Sequence, residues 1–156
     1  MSKPSFDIKA IYFVDDSDDE VFISKLAFKQ QSLQLEMHHF YDLDSFFDFL
    51  EQRTVQELVE SLTVLDLNLT LSRGTDGVER IRAQPHLADH IVGICSGSDD
   101  PADRLAALSA GAAFFIAKPM NREALEAICS TIDSLHLENR GEQSFLVRDP
   151  TLDNSG

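Results

Sequence analysis

A chain of 156 residues with 43% hydrophobic and 26% charged side chains has the size and composition of one globular domain, which excludes a disordered or fibrous protein. Its formal net charge of -14, with 13 scattered Lys and Arg, argues against nucleic acid as a direct partner, because phosphate neutralisation needs clustered basic residues. No apolar run reaches the length of a membrane span, the N-terminus lacks the apolar core of a signal peptide, and Cys95 and Cys129 read as free thiols in a reducing compartment, so a cytoplasmic location is expected.

Strands and helices alternate along the chain. Residues 8–14 (IKAIYFV) read as a strand running into Asp15 and Asp16. Ser17 and Glu20 form a capping box, and a helix follows to about residue 31 with apolar positions at Phe22, Ile23, Leu26 and Ala27. Residues 34–40 read as a second strand. Asp42 to about Gln52 is a short helix with Leu43, Phe46, Phe47 and Leu50 inward, and residues 53–61 fit either a prolonged helix or a separate turn. Residues 62–66 (LTVLD) are an apolar strand ending on Asp66. The polar, glycine-containing stretch LNLTLSRGTDG is a loop, and a short helix with Val78 and Ile81 inward closes before Pro85.

Residues 90–95 (HIVGIC) form a fourth strand, followed by Ser96. Asp100-Pro101 starts a helix that stops at Gly111. Residues 113–117 (AFFIA) form a fifth strand, followed by Lys118-Pro119. Asn121 caps a last helix with the stripe Leu125, Ile128, Cys129, Ile132 and Leu135. Residues 138–156 read as a polar, flexible tail, leaving residues 1–137 as the domain. Strands alternating with helices imply βαβ units and a parallel α/β sheet, and short apolar strands suit a sheet covered on both faces.

Ligands of an open parallel sheet bind outside the carboxyl ends of its strands. Here those ends carry Asp15 and Asp16, Asp66, Ser96, and Lys118. Any one of them alone is an ordinary surface residue. Three carboxylates, a hydroxyl and an ammonium on one edge form a phosphoryl-transfer site instead. Close carboxylates repel unless a cation lies among them, and Mg²⁺ suits one or two carboxylates plus phosphate oxygens. Carboxylates also serve as nucleophiles that form aspartyl-phosphate.

The pieces YFVDDSDDE, TVLDLNL, IVGICSGSDD and GAAFFIAKP, each at its own strand end and in this order, resemble a bacterial two-component response-regulator receiver domain of the stand-alone type. The resemblance runs over residues 8–119 and extends through the capped last helix to about 137. It implies a flavodoxin-like doubly wound sheet of five parallel strands in the order 2-1-3-4-5, with five helices. It also implies that Asp66 accepts a phosphoryl group from a phosphohistidine on a histidine kinase or histidine phosphotransfer protein. Asp15, Asp16, Asp66 and the backbone carbonyl of Asn68 would hold Mg²⁺, and Lys118 and Ser96 would contact the phosphoryl oxygens. Phe115 takes the switch-aromatic position, moving inward as Ser96 shifts, and Lys118-Pro119 the place of a cis bond. The helix at 101–110, the strand at 113–117 and the last helix form the implied output face, through which a homodimer is one expected use. The protein would then be a signalling module that catalyses only its own phosphorylation and dephosphorylation.

This sequence departs from the family where the loop after Asp66 is about three residues longer than usual and Thr70 replaces a common proline. Serine at 96 replaces the commoner threonine, and Gly97 a common alanine. Two rivals share parts of the pattern. D-L-N-L-T at 66–70 resembles the DxDxT motif of haloacid-dehalogenase-type phosphatases, but Asn68 stands in place of the general acid and the motif follows the third strand. A pseudo-receiver that binds proteins without phosphorylation would share the fold, but Asp15, Asp16, Asp66 and Lys118 are all present.

Overall fold

In the computed structural model, which describes residues 4–150, the chain alternates β and α elements as its sequence pattern requires. The elements are β1 (Phe6–Asp7), β2 (Ala10–Val14), α1 (Asp18–Gln30), β3 (Glu36–Phe40), α2 (Leu43–Leu50), α3 (Val55–Val59), β4 (Ser61–Asp66), α4 (Gly74–Ala83), β5 (Val92–Ser96), α5 (Pro101–Ala110), β6 (Phe115–Ala117), α6 (Arg122–Thr131), β7 (Leu135–Arg140) and β8 (Gln143–Arg148). Five of the strands form a parallel sheet in the order β3-β2-β4-β5-β6, which is the 2-1-3-4-5 topology expected of the five main strands. Strands β4 and β5 are buried along their whole length, because helices cover both faces of the sheet.

Side chains alternate across the sheet and feed two cores. One holds Ile11, Phe13, Leu62, Val64 and Phe114 with Leu125 and Ile128 of α6. The other holds Tyr12, Val14, Leu65 and Ile94 with the α2 residues Phe46, Phe47 and Leu50 and with Val78 and Ile81 of α4. The expected caps are present, but the Ser17–Glu20 box is only half formed, because the Ser17 backbone N–H donates to Asp15 rather than to Glu20. Ser17, Asp42, Asp100 and Asn121 each accept from a backbone N–H in the first turn of α1, α2, α5 and α6.

Several details differ from the sequence pattern. There are six helices among the described residues rather than five, because residues 53–61 resolve into a separate helix, α3, where Thr54 and Glu57 form a reciprocal capping box. Helix α1 buries Val21, Ser24 and Phe28, a stripe at helical spacing that includes a small polar residue, and leaves Phe22, Ile23 and Leu26 exposed. Helix α6 ends at Thr131, so Leu135 belongs to a strand.

The largest correction concerns residues 138–150, which are not a flexible tail. Strands β7 and β8 form an antiparallel hairpin that turns at Gly141 with φ 66°, and β1 pairs with β8 to complete a small second sheet in the order β1-β8-β7. The hairpin is ordered because Leu135 and Leu146 are buried and Leu137 packs against the first core. Arg122 of α6 donates to Ser144 Oγ at 2.6 Å, and the Gln34 backbone N–H to the Ser144 carbonyl at 2.8 Å, clamping it on. The boundary expected at residue 137 therefore falls inside β7. Residues 151–156 of the expected tail lie outside the described residues.

Candidate functional site

Parallel register brings the carboxyl ends of β2, β4, β5 and β6 to one edge. The chain runs from β2 straight into Asp15 and Asp16, β4 ends on Asp66, β5 on Ser96, and β6 is followed by Lys118. Asp15, Asp66 and Ser96 are buried. One carboxylate oxygen from each of Asp15, Asp16 and Asp66 lies within 4.8 Å of the others. Lys118 Nζ reaches Asp66 Oδ1 at 3.1 Å and Asp15 Oδ2 at 3.3 Å. The Lys118-Pro119 peptide bond is cis.

Each side chain is held by its own local device. The Ser17 backbone N–H donates to Asp15 Oδ1 at 2.8 Å, so the turn that caps α1 also aims Asp15. Asp15 Oδ2 is buried and has no hydrogen-bond partner among the described residues; its contact with Lys118 is a charge pairing without hydrogen-bond geometry. Asp16 Oδ2 accepts from the Thr70 backbone N–H at 2.6 Å and from the Thr70 hydroxyl. The Ser96 hydroxyl accepts from the Ser98 backbone N–H at 3.0 Å, which leaves its own proton free to donate. Phe115 is already buried among the second core, with the Arg104 guanidinium 5.1 Å from its ring centre. Asn68 sits two residues beyond Asp66 and pairs with Arg73 across the loop.

Charge in this pocket is unbalanced. Burial pushes the Asp66 carboxyl above its ordinary value and the Asp15 charge adds to the rise, while Lys118 and the Asn68 backbone N–H work against it. Burial alone would lower the Lys118 ammonium, but Asp66 and Asp15 outweigh it and hold the group charged. Thr70 holds Asp16 below the usual carboxylate range. Three carboxylates thus share one ammonium, and one buried carboxylate oxygen lacks a hydrogen-bond donor. A hard divalent cation bound by oxygen ligands fits that deficit, and the donor set is entirely oxygen.

The loop after Asp66 is not the open loop its composition suggests. The Leu69 N–H donates to the Ser72 carbonyl at 3.0 Å, the Gly74 N–H to the Leu67 carbonyl at 2.9 Å, and Asn68 bridges Arg73. It is a tight hairpin with Thr70 and Leu71 at its tip, and Leu71 is exposed. Helix α4 then begins at Gly74 rather than after Gly77, directly against the acceptor strand. A Cβ at Gly74 would stand 2.4 Å from the Asp66 carbonyl oxygen, so only glycine fits there. The sequence named Thr70 as a departure; its bond to Asp16 follows from the hairpin, which a polar seven-residue stretch does not announce.

The carboxyl edge of the sheet thus sets an aspartate at the end of a central parallel strand beside a lysine and two further carboxylates. Residues 11–130 match the model of the response regulator receiver domain, and the chain belongs to that family. Comparison with curated protein sequences gives no match. Among solved structures, the chain is similar to the bacteriophytochrome response regulator AtBRR, at 16% identity and a TM-score of 0.71 over 87% of this chain and 100% of that one. It is similar to the chemotaxis response regulator CheY4 of Vibrio cholerae, at 16% identity and a TM-score of 0.64 over 80% of this chain and 99% of that one. It also resembles the Mn²⁺-bound form of response regulator Rcp1, at 23% identity and a TM-score of 0.58 over 79% of this chain and 88% of that one. These likenesses concern the fold. No helix among the described residues is long and apolar enough to cross a membrane.

Proposed function

We propose that Asp66 is the phosphoacceptor of a Mg²⁺-dependent switch charged by a phosphohistidine on a histidine kinase or histidine phosphotransfer protein. The observation that carries this reading is the buried Asp66 held by Lys118 at 3.1 Å inside a cluster of carboxylates with one ammonium between them. Asp15, Asp16 and Asp66, with the Asn68 carbonyl, would hold Mg²⁺, which when bound neutralises charge on the transferring phosphoryl oxygens. The receiver family binds Mg²⁺ in such an acidic pocket, and the structurally similar Rcp1 is known in a Mn²⁺-bound form.

An Asp66 carboxylate oxygen attacks phosphorus in line as the N–P bond of the phosphohistidine breaks. The other ring nitrogen of the phosphohistidine carries a proton, so the imidazole keeps the bonding pair of the broken N–P bond and leaves neutral. Lys118, positively charged throughout, moves its interaction from the carboxylate to a phosphoryl oxygen, and the Ser96 hydroxyl donates to another. Phosphorylation adds about -1.5 to -2 charges at neutral pH, and Ser96 drawn toward them changes the packing at Phe115 one strand away. The signal leaves through α5, β6 and α6, where Leu105 and Leu108 are exposed, to a protein partner or a second copy of the chain. The chain catalyses only its own phosphorylation and dephosphorylation, in the cytoplasm and without nucleic acid.

Acetyl phosphate with Mg²⁺ tests this. The chain should take up one acid-stable, base-labile phosphoryl group, and Asp66→Asn should remove at least about 90% of the label, as loss of a sole nucleophile requires. Labelling that survives Asp66→Asn would place the acceptor elsewhere and overturn the assignment, and an unlabelled wild type would point to the pseudo-receiver reading. Sustained turnover of a generic phosphate monoester would point to the phosphatase.

A further inference from the structure

Lys118 pairs with Asp15 and Asp66, whereas Asp16 is held by Thr70 of the loop after β4. The Thr70 backbone N–H and hydroxyl both end on the same oxygen, Oδ2. Thr70 can do this because the hairpin from Leu67 to Arg73 is closed by its own backbone bonds and carries Thr70 at its tip. The donors are therefore held in place before any ligand arrives. Two donors on Oδ2 leave Oδ1 as the free oxygen of Asp16, fix the plane of the carboxylate, and favour its charged form.

We propose that Thr70 is a positioning residue of the cation site: it clamps Asp16 through Oδ2 so that Oδ1 is presented to the ion, and it couples occupancy of the site to the position of the Leu67–Arg73 hairpin. The proposal rests on the reading that Asp15, Asp16 and Asp66 hold a divalent cation. Groups that orient a metal ligand from outside act by limiting the ligand's freedom, and losing one typically weakens metal binding by about 10-fold or more. The hydroxyl is the part a substitution can remove, because the backbone donor stays. Valine at 70 has the shape of threonine without the donor, and serine keeps the donor without the methyl.

The test is a Mg²⁺ titration of the full chain without phosphodonor, followed by ¹⁵N–¹H NMR, for the wild type, Thr70→Val, Thr70→Ser and Asp16→Asn. Thr70→Val should raise the Mg²⁺ dissociation constant by about 10-fold, while Thr70→Ser should stay within about twofold of the wild type. In the wild type the amides of residues 69–73 should shift along the same binding curve as those of Asp15 and Asp16. In Thr70→Val the hairpin amides should lose that dependence while the pocket amides keep it. Thr70→Val binding Mg²⁺ as tightly as the wild type, or more tightly, would overturn the proposal. So would hairpin amides that ignore Mg²⁺ in the wild type. A wild type that takes up no Mg²⁺ would overturn the cation reading and this proposal with it, and Asp16→Asn separates the cases by showing whether Asp16 is a ligand at all.

Discussion

Two groups of polar side chains are buried in this molecule, and they are treated in opposite ways. At the amino end of the central sheet, His90 lies between the Leu58 carbonyl, 3.1 Å from Nδ1, and the Thr63 hydroxyl, 2.7 Å from Nε2. A carbonyl only accepts, so Nδ1 carries the proton and Nε2 receives the hydroxyl's. Arg82 nearby donates to the carbonyls of Gly111, Ala88 and His90 at 3.0, 2.8 and 2.7 Å. Each ring nitrogen of His90 is paired. At the carboxyl end, Asp15 Oδ2 has no hydrogen-bond partner and three carboxylates share Lys118. Buried polar groups are ordinarily satisfied, so the saturated knot reads as fold support and the unsatisfied pocket as a place prepared for a ligand.

The two ends should therefore respond to charge with opposite sign. Burial lowers the His90 pKa from 6.5 to about 4, so the folded state keeps the ring neutral. Its contribution is fully present above the unfolded value and is lost as pH falls through the folded one. Between pH 6.5 and 4 the chain should lose about 3 kcal/mol of stability on account of His90, measured by urea denaturation across that range. The loss should shrink when His90 is replaced by Gln, even if that variant is weaker throughout. An unchanged slope in His90→Gln would break the comparison.

The acidic pocket should show the smaller, reverse effect. The Asp66 pKa is raised in the fold, so its contribution to stability is present below the unfolded value and lost as pH rises through the folded one. At neutral pH with a chelator present, Asp66→Asn should therefore make the chain more stable, by on the order of 1 kcal/mol, because a buried like charge is removed. Mg²⁺ at tenfold over its dissociation constant should stabilise the wild type by about 1.4 kcal/mol, and the variant less. An Asp66→Asn chain that is less stable than the wild type under chelation would mean that the pocket is a structural ion-pair network after all.

The pocket was legible in the sequence because its parts obey two strong rules. Short apolar runs separated by capped helices fix the parallel order, and parallel order puts every strand's carboxyl end on one edge. Asp15, Asp66, Ser96 and Lys118 needed nothing else to be brought together. The knot at the other end was not legible. His90 stands at the start of a strand as any surface residue does, and its partners Leu58 and Thr63 come from a helix–strand junction whose form was open until Thr54 and Glu57 closed α3.

The C-terminal hairpin shows a different failure. Leu135 and Leu137 do alternate with polar residues before the Gly141 turn, and the apolar run Phe145, Leu146 and Val147 follows it. The charged Glu138, Arg140, Glu142 and Arg148 outweighed that period in a segment read as a tail. In α1, composition drew the eye to Phe22, Ile23 and Leu26, yet packing chose Val21, Ser24 and Phe28, because the first core has room for a serine whose hydroxyl accepts from the Met120 backbone N–H at 3.2 Å.

The central claim is that the unsatisfied pocket exists to carry a phosphoryl group on Asp66. It is tested most directly by loading the chain with acetyl phosphate and Mg²⁺, reducing the acyl phosphate with borohydride, and mapping the reduced residue by peptide mass spectrometry. The account predicts a single conversion, at Asp66, to homoserine. Conversion at Asp15, Asp16 or any other carboxylate, or none in a folded and Mg²⁺-loaded chain, would contradict it.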